Sequence, residues 1–375
     1  MTSNDQCGLI GIAYLPHGTM LLDPDRGDLP ILAKSLHSTC MQISTQIAEL
    51  NPDLLLLLTP HGLNVHHSIN IYQPGISNCY ANGNAQWNGQ WTDYSVDVDL
   101  DSEASKELYL YLKERLSNVQ GMLSFAGLST PLRWGEVVPL YFALHELARR
   151  NQNVKNNELK QISMRSKPKV VIIAQPGRGV TSTVEYIVIR LDWLIRYVLA
   201  EEKERFYEEQ QPNLIKFGQS IRSWCDQSSK RILLVISGDQ AHTHAWSSQL
   251  PQLYQPDPSC FSRFPQSGTE QADLFDEMIQ NWLTGKRSQS NNNLYQLDED
   301  LLVNQAGKIE KQAISCGYAG SLTLQGVMKN DFIQNRIEHS SQSIDSSAHW
   351  ILTNFSACCP TYYGMLAALF LRNNK

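Results

Sequence analysis

The sequence predicts an α/β protein: a central, mostly parallel or mixed sheet flanked by helices on both faces, in a single domain over residues 1–375 with insertions. Three observations predict it. Short apolar runs of strand length alternate with amphipathic segments of helical length. Two of those runs end in the same Pro-His-Gly turn. No repeat of solenoid period and no linker-like shift in composition divides the chain.

The elements follow in order. Gly8 to Leu15 (GLIGIAYL) is a buried strand that stops at Pro16-His17-Gly18. Leu32 to Leu50 places Leu32, Leu36, Met41, Ile43 and Ile47 at mostly helical spacing, and Asn51-Pro52-Asp53 ends it. Leu54 to Leu58 is an unbroken apolar run and reads as a second strand, closed by Thr59-Pro60-His61-Gly62. Strand, helix and strand make a βαβ unit, so both Pro-His-Gly turns fall at one edge of the sheet. Gln73 to Trp91, rich in Gly, Asn and aromatics and without a period, reads as a loop over a site. Glu103 to Leu116 is an amphipathic helix, and Pro139 to Arg150 another with Pro139 near its start. Lys169 to Ala174 and Arg231 to Ser237 are two further central strands. Between them Val184 to Arg222 is helical, and its charged run Glu201 to Arg205 reads as a solvated face. Tyr362 to Met365 opens a buried C-terminal helix. Insertions, helical or on the surface, are placed around 151–168, 195–229 and 285–297.

Composition excludes several classes. With 42% hydrophobic and 18% charged residues the chain can pack a core, which excludes wholesale disorder. The 31 basic and 37 acidic residues give a net charge of −6 with no long basic run, which argues against a nucleic-acid partner. No apolar run approaches the ~18 residues that span a bilayer, and Met1 to Gln6 lacks the basic start of a signal peptide, so a cytoplasmic protein without a membrane partner is expected. The eight cysteines, among them Cys316 and the adjacent Cys358 and Cys359, show no CxxC spacing and require no disulfides.

Chemistry is expected where loops converge beyond the carboxyl ends of the strands. His17 follows one strand, His61 a second, and His242 with His244 a third through Ser237-Gly238-Asp239-Gln240-Ala241-His242-Thr243-His244. Neutral imidazoles bind Fe, Zn, Cu or Ni, and an unligated one can act as a general base, a role open to His242 or His244. A single histidine at a strand end is more often hydrogen-bonded scaffolding; agreement among three strand ends favours a site. Other signals carry less. Gln175-Pro176-Gly177-Arg178-Gly179-Val180 is neither GxGxxG nor a P-loop, and no GxSxG elbow occurs. His66 and His67 point to opposite sides of a strand, which leaves them a surface or supporting role.

Tyr14-Leu15-Pro16-His17-Gly18 with Leu22-Asp23-Pro24, Thr59-Pro60-His61-Gly62, Pro131-Leu132-Arg133-Trp134-Gly135-Glu136, Ser237-Gly238-Asp239-Gln240-Ala241-His242 and Cys316-Gly317-Tyr318-Ala319-Gly320 occur in that order. The series resembles the class III (LigB-type) extradiol ring-cleavage dioxygenases and the related Memo-like proteins over nearly the whole chain. The resemblance implies an α/β fold, His17 and His61 as the first metal ligands, and His242 either as acid/base or as a ligand. It also implies Fe(II) as the cofactor, with a small aromatic diol and O2 as substrates, and a homodimer. The dioxygenases place a ligating glutamate near Cys316-Gly317, where this chain reads Ala313-Ile314-Ser315-Cys316-Gly317. Cys316 is then a candidate thiolate ligand, which favours Zn or Cu, and Glu310 a candidate carboxylate. Asp23, Asp239 and Trp134 are expected to contact substrate, with Tyr80 and Trp87 lining an aromatic pocket. The expectation is a metal-dependent dioxygenase; a Memo-like redox or signalling protein is the alternative, and metal-assisted hydrolysis needs much the same residues.

Overall fold

The computed structural model describes residues 7–26, 31–62, 68–73, 79–87, 90–123, 128–152, 159–177, 193–247, 266–286, 294–337 and 344–373. The strands are β1 (Gly8–Leu15), β2 (Leu54–Thr59), β3 (Ile69–Gln73), β4 (Tyr80–Asn84), β5 (Ser95–Asp99), β6 (Val119–Leu123), β7 (Thr130–Leu132), β8 (Gln161–Met164), β9 (Lys169–Ala174), β10 (Arg231–Ser237), β11 (Leu294–Tyr295), β12 (Ile333–Asn335), β13 (Trp350–Cys358) and β14 (Met365–Arg372). The α-helices are α1 (Ile31–Leu50), α2 (Ser102–Lys113), α3 (Trp134–Gln152), α4 (Trp193–Asp226), α5 (Glu270–Thr284), α6 (Gly307–Ala313) and α7 (Tyr318–Val327). His66, His67, Cys260 and the Arg178-Gly179-Val180 turn lie outside the described residues, as do the side chains of Glu201 to Arg205.

The main sheet runs β11-β12-β13-β14-β1-β10-β2-β9-β3-β6. Its centre, β1, β10, β2 and β9, is parallel, with Leu15 opposite Ser237 and Thr59 opposite Ala174. β14 joins β1 antiparallel and β3 joins β9 antiparallel, so the sheet is mixed. β10 lies between β1 and β2, which makes the predicted βαβ strands near neighbours in the sheet. The central strands are buried on both faces, which is why they read as continuous apolar runs rather than as alternating ones.

Their side chains still alternate between two cores. Leu54, Leu56, Leu58, Ile232, Leu234 and Ile236 face α2, α4, α5 and α7. Leu55, Leu57, Leu233 and Val235 face α1 and α3. A smaller sheet, β7-β4-β5-β8, packs on that second side through Val96 and Val98. Helices therefore cover both faces of the main sheet, as the sequence predicts. Among the described residues no helix is long and apolar enough to cross a membrane.

Three local expectations change. The segment after Tyr362 is β14, not a helix: MLAALFLR is buried in both cores, and it pairs with β13 along its length and with β1 over Ala368 to Leu371. The Gln73 to Trp91 stretch contains β4, whose Gly83 approaches β7 so closely that a Cβ there would lie 2.0 Å from the Leu132 carbonyl oxygen. The helix within the 195–229 insertion also belongs to the body of the fold, because Leu214, Phe217 and Ile221 of α4 are buried in the first core.

Candidate metal centre

Four chain segments meet beyond the carboxyl ends of the parallel strands. β1 delivers His17 two residues past its end, β2 delivers His61 two residues past Thr59, and β10 leads through Asp239 to His242. The fourth segment lies between α6 and α7. Ile314 caps α6 in the left-handed region at φ 54, costly for a β-branched residue, and the chain turns there into Ser315-Cys316-Gly317. Three contacts to the Asp239 carbonyl hold this turn against the β10 loop. Gly317 N–H donates at 2.8 Å, Ser315 Oγ at 3.2 Å and Cys316 Sγ at 3.5 Å. Glycine is required at 317, since a Cβ would lie 2.7 Å from that carbonyl oxygen and 2.6 Å from the Tyr14 hydroxyl.

His17, His61 and Cys316 form one buried cluster, each offering a ligand atom within 4.8 Å of the other two, and this cluster can bind a metal ion. Cys316 Sγ lies 3.3 Å from His17 Nε2 and 3.5 Å from His242 Nε2. The His17 and His61 rings meet edge-on at 4.6 Å. His17 Nδ1 is 2.9 Å from Ser237 Oγ, and its backbone N–H donates to Asp239 Oδ1 at 3.1 Å. Gly135 lets α3 approach His61; a Cβ on it would lie 2.6 Å from the His61 Cβ. His61 N–H donates to Thr59 Oγ1 at 3.2 Å.

Burial dominates the electrostatics. It holds the His17 imidazole well below its usual range, with the neighbouring His61 and His242 acting in the same direction. It lowers His242 to about 4, so both rings are neutral near pH 7. Burial, with Asp239 beside it, pushes the Cys316 thiol up. It also raises the Asp239 carboxyl to about 7, against the N–H groups of His17 and Gly18 that stabilise the charged form. Glu136, which accepts from the Tyr72 hydroxyl and the Arg133 N–H, is likewise raised by burial to about 7.

The predicted residues distribute unevenly. His17, His61 and Cys316 form the ligand cluster, and His242 and Asp239 lie against it. Trp134 packs its ring 5.1 Å from that of His61, and Trp87 packs 4.7 Å from Trp134, so these two form an aromatic wall beside the cluster. Tyr80 instead stacks under the Arg165 guanidinium at 4.1 Å. The Asp23 carboxylate bonds the Tyr94 hydroxyl. Glu310 is buried in α6 beside Tyr318 and is not part of the ligand cluster. His244 lies between two carboxylates of α5, with Nδ1 2.9 Å from Asp273 and Nε2 2.9 Å from Asp276. Burial alone would lower the pKa of its ring; Asp276 outweighs that, Cys359 adds to it, and His244 is pushed up to about 10.

Sequence reasoning missed Ser237, Thr59, Gly135 and Tyr363, whose ring lies 5.7 Å from His242. One signal was available for two of them. Ser237 and Thr59 are single polar residues that close otherwise apolar buried strands, and a buried hydroxyl needs a partner. No protein-family model matches the chain, and no curated protein matches it at a significant level.

Proposed function

We propose that this protein is a metal-dependent redox protein of the Memo-like kind, holding one copper ion on His17, His61 and the Cys316 thiolate. The observation that carries the reading is the third donor: the cluster formed by His17 and His61 is completed by the Cys316 sulfur, 3.3 Å from His17 Nε2, where a 2-His-1-carboxylate centre has an oxygen. Two imidazoles and a thiolate suit copper or zinc, and copper stands above zinc in the general affinity order for such sites. Bound copper supplies one-electron chemistry.

The remaining work belongs to the chain's own residues. The buried positions of His17, His61 and Cys316 exclude bulk water from three donors at once. The Asp239 N–H, 3.4 Å from Cys316 Sγ, favours the thiolate form. The thiol proton must leave when a metal binds, and His242 Nε2, 3.5 Å away on a half-buried ring, gives it a route outward. Trp134 and Trp87, their rings tilted 54° to one another, supply an apolar wall for a small aromatic partner.

The test is a copper titration of the full chain under reducing and then oxidising conditions. The reading expects one equivalent bound and, on oxidation, a thiolate-to-copper charge-transfer band that Cys316→Ser abolishes. A copper complex whose spectrum is unchanged by Cys316→Ser contradicts it.

The His242 ring and the aromatic wall also favour a second reading, ring-opening dioxygenation of a small aromatic diol with O2. The cluster of mutually close donors is completed by Cys316 and not by a carboxylate: Glu310 is outside it, and so is Asp239, although its Oδ2 lies 3.4 Å from His17 Nε2, so the donor set does not match the 2-His-1-carboxylate form of Fe(II). Oxygen uptake by iron-loaded protein on simple catechols, lost in His242→Ala, supports this second reading; no uptake removes it.

A further inference from the structure

We propose that Ser237 is a positioning residue that fixes the proton of His17 on Nδ1 and so presents the Nε2 lone pair to the metal; this rests on the metal reading above. Ser237 Oγ is 3.0 Å from the Gly135 carbonyl oxygen and 2.9 Å from His17 Nδ1. A carbonyl oxygen can only accept, so the single hydroxyl proton goes to Gly135, and the oxygen meets Nδ1 with a lone pair. Nδ1 must then donate. In a neutral imidazole the other nitrogen, Nε2, is left bare, and it faces Cys316 Sγ.

The Gly135 carbonyl is free to play this part because of Pro139. In an α-helix a carbonyl accepts from the N–H four residues on. In α3 the partner of Gly135 would be residue 139, a proline without an N–H. The carbonyl instead accepts from Ser237, and from Thr59 Oγ1 at 3.3 Å. Thr59 Oγ1 in turn accepts the His61 N–H, so one helix carbonyl braces the loops of both histidine ligands. Ser237 and Thr59 are both fully buried, so bulk water does not compete.

Two contacts oppose the assignment. Cys316 Sγ, 3.3 Å from His17 Nε2, accepts from it whenever the thiol proton lies on the Asp239 carbonyl, and this opposition vanishes when that proton turns to Nε2. Asp239 Oδ2 is 3.4 Å from His17 Nε2 and would favour a proton there. That separation exceeds the usual N–H···O range, whereas 2.9 Å to Ser237 lies at its centre, so the serine contact decides.

The test is nitrogen-15 NMR of metal-free protein labelled at histidine, with the His17 signal assigned by its loss in His17→Gln, followed by zinc titration. The expected result is an Nδ1–H His17 in the wild type. In Ser237→Ala that preference should be lost and zinc affinity should fall about 10- to 100-fold, as for other outer partners of ligating histidines. A wild-type His17 carrying its proton on Nε2 overturns the assignment whatever the titration gives. An Nδ1–H His17 in wild-type protein that binds no metal overturns the proposed function and leaves the assignment standing. The wild-type spectrum decides the assignment even if Ser237→Ala does not fold.

Discussion

Cys316 Sγ lies 3.3 Å from His17 Nε2, although 299 residues of chain separate them. The contact exists because the α6–α7 turn is pinned to the Asp239 carbonyl at one end of β10, while His17 leaves the neighbouring strand β1 at the same edge. Metal specificity should therefore follow the residue at 316. Cys316→Ser is expected to weaken zinc or copper binding by more than about 100-fold, beyond the loss typical of an outer-shell change. Cys316→Asp should move the preference toward harder ions. Competition titrations with a chromogenic chelator check both; an unchanged metal preference in Cys316→Asp speaks against sulfur as a donor.

Gly135 gives a second prediction. A methyl at this position would meet the His61 Cβ at 2.6 Å, with α3 packed behind it. Gly135→Ala should cost about 1–3 kcal/mol of stability by overpacking and displace His61 from the cluster. Denaturant melts and metal titration measure the two effects; full metal affinity in a folded Gly135→Ala protein would mean that His61 is not held by this contact.

Pro139 gives a third, of opposite sign. Pro139→Ala restores a helix N–H that competes for the Gly135 carbonyl and is expected to stabilise α3 by up to about 3 kcal/mol. Metal affinity should nevertheless fall, because Ser237 and Thr59 lose their shared acceptor. Thermal melts beside a zinc titration test this, and a variant that gains stability with unchanged affinity argues against the shared carbonyl.

His244 and Asp276 predict a pH dependence of stability. The folded-state pKa of His244, about 10, lies above its unfolded value of 6.5, so the stabilisation is fully present below about pH 6.5 and disappears as pH rises through about 10. Asp276→Asn should weaken that dependence and cost about 3 kcal/mol near neutral pH, since the buried ring loses its buried carboxylate and keeps only Asp273 at Nδ1. Urea melts of both proteins between pH 6 and 10 read it out; parallel stability curves would contradict the pairing.

These relationships were unequally legible in the sequence. The four parallel strands were readable because burial on both faces turns them into unbroken apolar runs, and the histidines were readable because each follows such a run. Cys316 entered only through the resemblance, since no local spacing links it to His17 or His61. β14 was misread because MLAALFLR has neither a strand's alternation nor a helix's period, and burial on both faces removes the distinction. Ser237 and Thr59 act through the carbonyl of a residue on another element, a relation that no linear pattern encodes. His244 looked equivalent to His242 two residues earlier; the Asp273 and Asp276 carboxylates on α5 are what separate them.

The most direct measurement is the metal content of the full chain purified anaerobically without chelator, by elemental mass spectrometry, beside a His17→Ala/His61→Ala variant. Close to one copper per chain is expected, with zinc as its competitor, lost in the variant. Metal retained by the variant, or no metal in the wild type under copper-replete conditions, would contradict a centre built on His17, His61 and Cys316.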